Sequence, residues 1–378
     1  MSLLNYIAIL GRQPELGLVE LESLLGPAGV RPFGRQAALV SESLDIERLG
    51  GSLKLGVILY RGPVVPLREL PFGIGKLPRR DSKTTFAISA YGVRETARDL
   101  IAAGLELKKQ LKREGSVRLI TPGKGLAVSA AELRHNRVLS EGFELLFVQS
   151  GSELVVARTI GVQDIDWYSK RDYERPARSA KVGMLPPKLA QVLVNTTRGK
   201  LVSDPFCGTG VVMQEARLLG RRAVGSDLSE EMVEATRTNM QWLEHQVPAP
   251  LPEWSVTLAD ARTVELPEGC SVVSEGYLGP NQSKAPSDTE LAAIKHELLD
   301  LYRGALANFA KQLSSGGEVT ICVPAWRLGK RWDYLGLVDE LPKLGYTPKG
   351  FRAASASPLL YARDDQIVGR QLLILRKI

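Results

Sequence analysis

Three aspartates each close an apolar, strand-like run: Asp204 in "LVSDPFCGTG", Asp227 in "VGSDLS" and Asp260 in "LADAR". Asp204 is followed by Gly208 and Gly210 and then by a helix-like segment. There the backbone can approach a ligand closely, and the first amides of the helix point at a carboxylate or phosphate. Asp204 itself is placed to take an ammonium group or a hydroxyl. Asp227 follows at the end of the next strand, where an acid accepts both hydroxyls of a ribose. Asp260 ends the third strand, within reach of an adenine amino group. Any one of these acids alone reads as a helix cap or a solvated loop residue; the set of three describes a site for a nucleoside that bears an amino acid tail. A nicotinamide site would share the Asp227 logic, but its G-x-G-x-x-G turn is missing.

Those acids need a scaffold, and the sequence supplies one. From Lys200 onward, "KLVSDPF", "RRAVGSDLS", "WSVTLADA", "CSVVSEGY" and "GEVTICVPAW" read as strands, with helices over Gly210 to Leu219, Glu230 to Glu244 and Leu291 to Phe309. Such alternation predicts an α/β fold with a doubly wound, mainly parallel sheet covered on both faces. "PLLYARDDQIVGRQLLILRKI" ends the chain with two segments that read as edge strands. Upstream, "TTFAISAYG", "SVRLIT", "FELLFVQ" and "ELVVARTIGVQ" read as strands of a smaller α/β unit. Its helix over Arg94 to Gly115 carries Ala97, Leu100, Ile101, Leu107 and Leu111 on one stripe. "RGPVVPLRELPFGIGKLPRRDS", rich in proline and glycine, marks a linker. The predicted organisation is a first domain over 1–62, a linker over 63–82, a second domain over 83–166, a linker over 167–184 and a C-terminal domain over 185–378.

The 378 residues carry a net charge of +7 that is unevenly spread. Residues 1–78 hold 8 Lys and Arg against 7 Asp and Glu, residues 79–188 hold 20 against 13, and residues 189–378 hold 21 against 22. The whole excess sits in the middle segment, which favours an anionic macromolecule, nucleic acid first, as its partner. Lys108, Lys109, Lys112 and Arg113 crowd the end of the helix, with Arg118 just beyond. "DWYSKRDYERPAR" interleaves rings with cations, among them Arg171 and Arg175, in a mixture that can stack on bases and grip phosphates, or equally mark a second domain joint. Cys207, Cys270 and Cys322 offer neither a disulfide framework nor a metal motif, which points to a reducing cytoplasm. The three histidines are scattered, and no metal is expected. The apolar start "LLNYIAIL" resembles a buried strand more than a signal peptide, and no other run approaches membrane length.

With "DPFCGTG", "SDLS" and "LADAR" in hand, the C-terminal half resembles the Rossmann-like class I S-adenosylmethionine-dependent methyltransferases. The middle segment looks like a THUMP domain, an RNA-binding module, preceded by a small ferredoxin-like domain. That order, with "RDYERPARSAKVGMLPPKLAQVLVN" leading into the catalytic half, is similar to the THUMP-domain tRNA guanosine-10 N2-methyltransferases. The resemblance implies S-adenosyl-L-methionine as cofactor, held by Asp204, Phe206, Cys207, Gly208, Gly210, Asp227, Leu228, Asp260 and Ala261, with Leu185 and Pro186 beside its methionine tail. It also implies tRNA as partner and leaves open an activating partner subunit.

Amine-directed members of this group carry Asp, Asn or Ser, then Pro-Pro and an aromatic, after the fourth strand. The first side chain orients the target amine, and the ring stacks on its base. Here the place reads "SEGY". Ser274 and Tyr277 keep the outer positions, while Glu275 and Gly276 replace the prolines. The expected catalytic residues are therefore Ser274, Glu275 and Tyr277, with a purely structural pairing of Glu275 to a nearby arginine as the alternative. The altered motif keeps two other readings in play: a tRNA-binding protein whose fold no longer catalyses, and a methyltransferase that acts on another RNA or on DNA.

Overall fold

The computed structural model describes residues 4–66, 77, 83–178, 184–282, 284–354 and 358–378. The chain forms two compact units, one of residues 1–167 with 352–354, the other of residues 168–351 with 355–378. Most of the linker expected over 63–82 and residues 179–183 of the one over 167–184 lie outside the described residues.

The first unit contains β1 (Tyr6–Leu10), α1 (Pro14–Leu25), β2 (Val30–Pro32), β3 (Ala37–Val40), β4 (Ser52–Pro63), β5 (Lys83–Tyr91), α2 (Ala97–Leu111), β6 (Ser116–Ile120), α3 (Ala130–His135), α4 (Val138–Glu141), β7 (Gly142–Ser150) and β8 (Glu153–Val162). Its eight described strands form one sheet in the order β2-β3-β1-β4-β8-β7-β5-β6. The pairing of β4 with β8, from Lys54 opposite Val162 to Pro63 opposite Glu153, joins the segments expected as separate domains. Long-range strand pairing of this kind leaves no mark in local sequence, whereas the proline-rich segment beside it does. The Thr96 capping box starts α2, and Leu100, Leu107 and Leu111 face the core. Ala97 and Ile101 depart from the expected stripe and are exposed.

The second unit takes up α5 (Ile165–Tyr173) from Tyr168 and continues with α6 (Pro187–Asn195), β9 (Leu201–Asp204), α7 (Val211–Leu218), β10 (Arg222–Asp227), α8 (Glu230–Gln246), β11 (Trp254–Leu258), β12 (Ser271–Glu275), α9 (Asp288–Gln312), β13 (Glu318–Leu328), β14 (Arg331–Tyr334), β15 (Tyr346–Pro348), β16 (Leu360–Tyr361) and β17 (Val368–Lys377). The sheet order is β11-β10-β9-β12-β13-β17-β15, with β14 on β13 and β16 on β17. The pairs from β11 to β13 are parallel. β17 runs antiparallel to both β13 and β15, so the last strand lies inside the sheet and not at its edge. Its run "GRQLLIL" is buried throughout, as a strand covered on both faces of the sheet is.

Helix α9 secures this sheet. A Ser287 capping box starts it, and Leu298, Tyr302, Leu306 and Phe309 at helical spacing pack against Val272, Val319, Ile321 and Val323. Strand order reverses between β9 and β12, which is where an open α/β sheet leaves a crevice beyond its carboxyl ends.

Candidate active site

A cleft of about 790 Å³ occupies that crevice. Asp204 at the end of β9, Asp227 at the end of β10, Asp260 just past β11 and Glu275 at the end of β12 all line it. Met184, Leu185, Phe206, Cys207, Gly208, Leu228, Ala261 and Tyr277 line it as well.

The turn from β9 to α7 is built for close approach. Gly208 and Gly210 have φ of +52° and +82°, a region that glycine enters without steric cost. A Cβ on Gly208 would meet nothing within 4 Å, so that stretch of backbone faces open space. The turn is fixed by Gly210 N donating to Cys207 O (2.7 Å), Cys207 N to Ser226 O (3.0 Å) and Thr236 Oγ1 to Gly208 O (2.8 Å). Asp227 braces it too: Oδ2 accepts from Gly208 N at 2.9 Å and Oδ1 from Ser229 N at 3.0 Å. Each oxygen keeps a lone pair, enough for two hydroxyls. Asp260 accepts from Arg262 N at 2.8 Å and from its guanidinium, which holds the carboxyl below its usual range. These features fit an adenosyl group with an amino acid tail: a cradle of bare backbone, a ribose-type carboxylate and an open cavity.

Asp204 differs from expectation. It is 1% exposed, and its Oδ1 accepts from Ser274 Oγ at 2.6 Å. Burial pushes its carboxyl up to about 7, the Ser274 hydroxyl pulling against this and the nearby charges of Asp227 and Glu275 adding to it. Ser274 is consequently not the cleft-facing acceptor the sequence suggested: it is fully buried and engaged with Asp204, because the alternation of β12 turns it inward and Glu275 outward. Gly210 and Pro186 also stand behind the wall, as the residues that start α7 and α6. Tyr277 is 49% exposed, a ring open to the cleft.

Arg370, in the tail segment read as an edge strand, is buried, lines the cleft and donates from Nε to Glu275 Oε1. Sequence reasoning assigned no polar role to Tyr302 of α9, whose hydroxyl donates to Tyr277 O at 2.8 Å.

The expected nucleic-acid residues divide. Lys108, Lys112 and Arg118 line a shallow recess with Lys83, Gly115, Ser116 and Val117, and Lys109 and Arg113 are exposed beside it in sequence. Arg171 and Arg175 do not serve as expected. Arg171 is 2% exposed, sits 4.3 Å over the Tyr168 ring and pairs with Glu215 at 2.7 Å. Arg175 is likewise buried, with Nη1 3.4 Å from Thr209 Oγ1. Tyr168 and Arg171 form the inner face of a helix whose acidic partner lies 44 residues away, while Tyr173 is exposed.

A family model described as DNA methylase matches residues 162–238. A protein from Methanothermobacter thermautotrophicus named tRNA (guanine(10)-N2)-dimethyltransferase is 33% identical over 162 residues, 42% of each chain. Another of that name from Pyrococcus abyssi is 29% identical over 243 residues, 63% of this chain and 67% of that one. The chain thus matches less than half the length of the first of these relatives. Among solved structures, TrmN from Thermus thermophilus aligns over 99% of both chains with a TM-score of 0.52 at 16% identity. The fold is that of a class I methyltransferase. Among the described residues, no helix is long and apolar enough to cross a membrane.

Proposed function

We propose that this protein transfers a methyl group from S-adenosyl-L-methionine to tRNA, at the exocyclic N2 of a guanosine, position 10 by resemblance to the relatives above. The observation that carries the reading is the convergence of Asp204, Asp227 and Asp260 from three successive strand ends on one cleft. In this reading Asp227 holds the ribose, Asp260 and Ala261 the adenine, and the turn Phe206–Gly210 with Leu185 the methionine part. Bound there, the cofactor supplies an electrophilic methyl group. The chain's own task is alignment: methyl transfer needs the nucleophile in line and little else. Tyr277 offers an exposed ring on which the target base stacks.

The first unit, read as a ferredoxin-like domain with a THUMP domain, would hold the tRNA. Lys83, Lys108, Lys112 and Arg118 supply a cationic recess for its phosphates. A cytoplasmic location and no metal requirement go with this reading.

The test is tritiated methyl transfer into total tRNA, followed by mass spectrometry of its nucleosides. N2-methylated guanosine is the expected product. Labelled DNA or ribosomal RNA in its place would reassign the substrate. Measurable tRNA binding without any label would make the protein a binder with a silent methyltransferase fold.

A further inference from the structure

Resting on the methyl-transfer reading above, the cleft poses a question that the altered motif leaves open: which group receives the proton of the attacking amine. Ser274 is turned away and engaged with Asp204. Glu275, one residue on, faces the cleft, and Arg370 reaches it from β17 across the intervening β13. Arg370 is itself tied back by Nη2 to the Met184 carbonyl at 3.4 Å. A buried ion pair is a costly way to tie strands together, since both charges lose their water, and apolar residues of equal volume would serve stability as well. Its position at the cleft wall makes it more than a tie.

The loop is stiffened without prolines. A Cβ at Gly276 would clash with the Tyr302 hydroxyl, so proline or any other side chain here would force that phenol to shift. The same hydroxyl holds the Tyr277 carbonyl at 2.8 Å and lies 3.4 Å from that of Cys322. A phenol from α9 and a guanidinium from β17 thus fix Glu275 to Tyr277 from two sides.

We propose that Glu275 accepts the proton released by the target's exocyclic amine, and that Arg370 is the positioning residue that keeps this carboxylate ionised and aimed into the cleft. As the nitrogen bonds to the methyl carbon, the carbon–sulfur bond breaks with its electron pair moving to sulfur. A neutral thioether is left, and the surplus N–H proton passes to the Glu275 carboxylate. The groups that face Glu275 are Arg370 from β17, Asp204 from β9, Cys322 from β13 and Tyr302 from α9. Arg370 is the cation among them. Burial raises the carboxyl's proton affinity while Arg370 opposes the rise, which keeps the group able both to ionise and to take a proton.

The test has one arm that needs no catalysis. In protein carrying 13C-carboxyl glutamate, the resonance missing from Glu275→Gln identifies Glu275. Its titration midpoint should move to higher pH in Arg370→Gln and stay near wild type in Arg370→Lys. In the second arm, single-turnover methyl transfer to tRNA is followed against pH. The rise of rate with pH should move upward in Arg370→Gln by the same interval. Glu275→Gln should lower the rate on the order of 100-fold, with calorimetric cofactor affinity changed by less than about twofold. A midpoint indifferent to Arg370→Gln, or a Glu275→Gln rate within about threefold of wild type, overturns the proposal. Should Arg370→Gln not fold, Glu275→Gln decides it alone. A wild-type protein that methylates no tRNA refutes the functional reading instead, and the resonance arm still shows whether Arg370 governs Glu275.

Discussion

Replacing Asp204 by Asn should make the protein more stable at neutral pH than it is today, and the size of the gain should depend on pH. The carboxyl is 1% exposed, and burial lifts it from 3.8 to about 7. At 1.36 kcal/mol per unit, the three-unit rise makes the ionised form cost about 4 kcal/mol, an upper bound because neighbours relax. The folded value is raised, so between about pH 4 and pH 7 the folded chain holds a proton that the unfolded chain has lost. The contribution of this group is therefore complete below about pH 4, falls as pH rises and is gone above about pH 7. Asn keeps an oxygen for the Ser274 hydroxyl and the Phe206 amide but cannot ionise. The assay is urea unfolding of wild type and Asp204→Asn at half-unit pH steps, taken as a difference so that other titrating groups cancel. The stability of the variant relative to wild type should climb across that window by up to about 4 kcal/mol and then level off. A difference that does not vary with pH would refute the reasoning, since it would mean that Asp204 ionises as freely folded as unfolded.

Three further outcomes follow. Gly276→Ala should cost about 1–3 kcal/mol through the clash with Tyr302 Oη, and pairing it with Tyr302→Phe should recover part of that in a double-mutant cycle. Charge-removing substitutions at Lys83, Lys108, Lys112 and Arg118 should weaken tRNA binding and reduce its salt slope by about 1 per cation, with cofactor affinity untouched; an unchanged slope would take the recess off the RNA path. Glu215→Ala, which removes the carboxylate paired with buried Arg171, should destabilise the second unit by about 3–5 kcal/mol in thermal unfolding, and a loss below about 1 kcal/mol would show that this pair does not hold the guanidinium in place.

The parts of the molecule written in local pattern were readable from sequence. The strand ends at Asp204, Asp227 and Asp260 announce themselves through β-branched runs closed by an acid, and α9 through its helical spacing. Contacts made across sequence distance were not. Arg370 meets Glu275 from 95 residues away, Arg171 meets Glu215 from 44, and β4 meets β8 across the proline-rich segment. For Arg171 the local text suggested a nucleic-acid face, and between β4 and β8 a domain boundary. Ser274 failed for a different reason. Its type matched an acceptor, but the period-two alternation of β12 decides which of two neighbouring residues sees the cleft, and the strand's exact end was not legible.

In the reading proposed above, the tips of β9, β10 and β11 hold an adenosyl sulfonium compound. Calorimetric titration of S-adenosylmethionine into wild type, Asp227→Ala and Asp260→Ala tests it most directly. Losing a charged acceptor for buried hydroxyls should cost about 1.5–3 kcal/mol, so Asp227→Ala should bind at least about tenfold more weakly, and Asp260→Ala should be weakened too. Equal affinity in all three proteins, or no binding to wild type, would contradict the account.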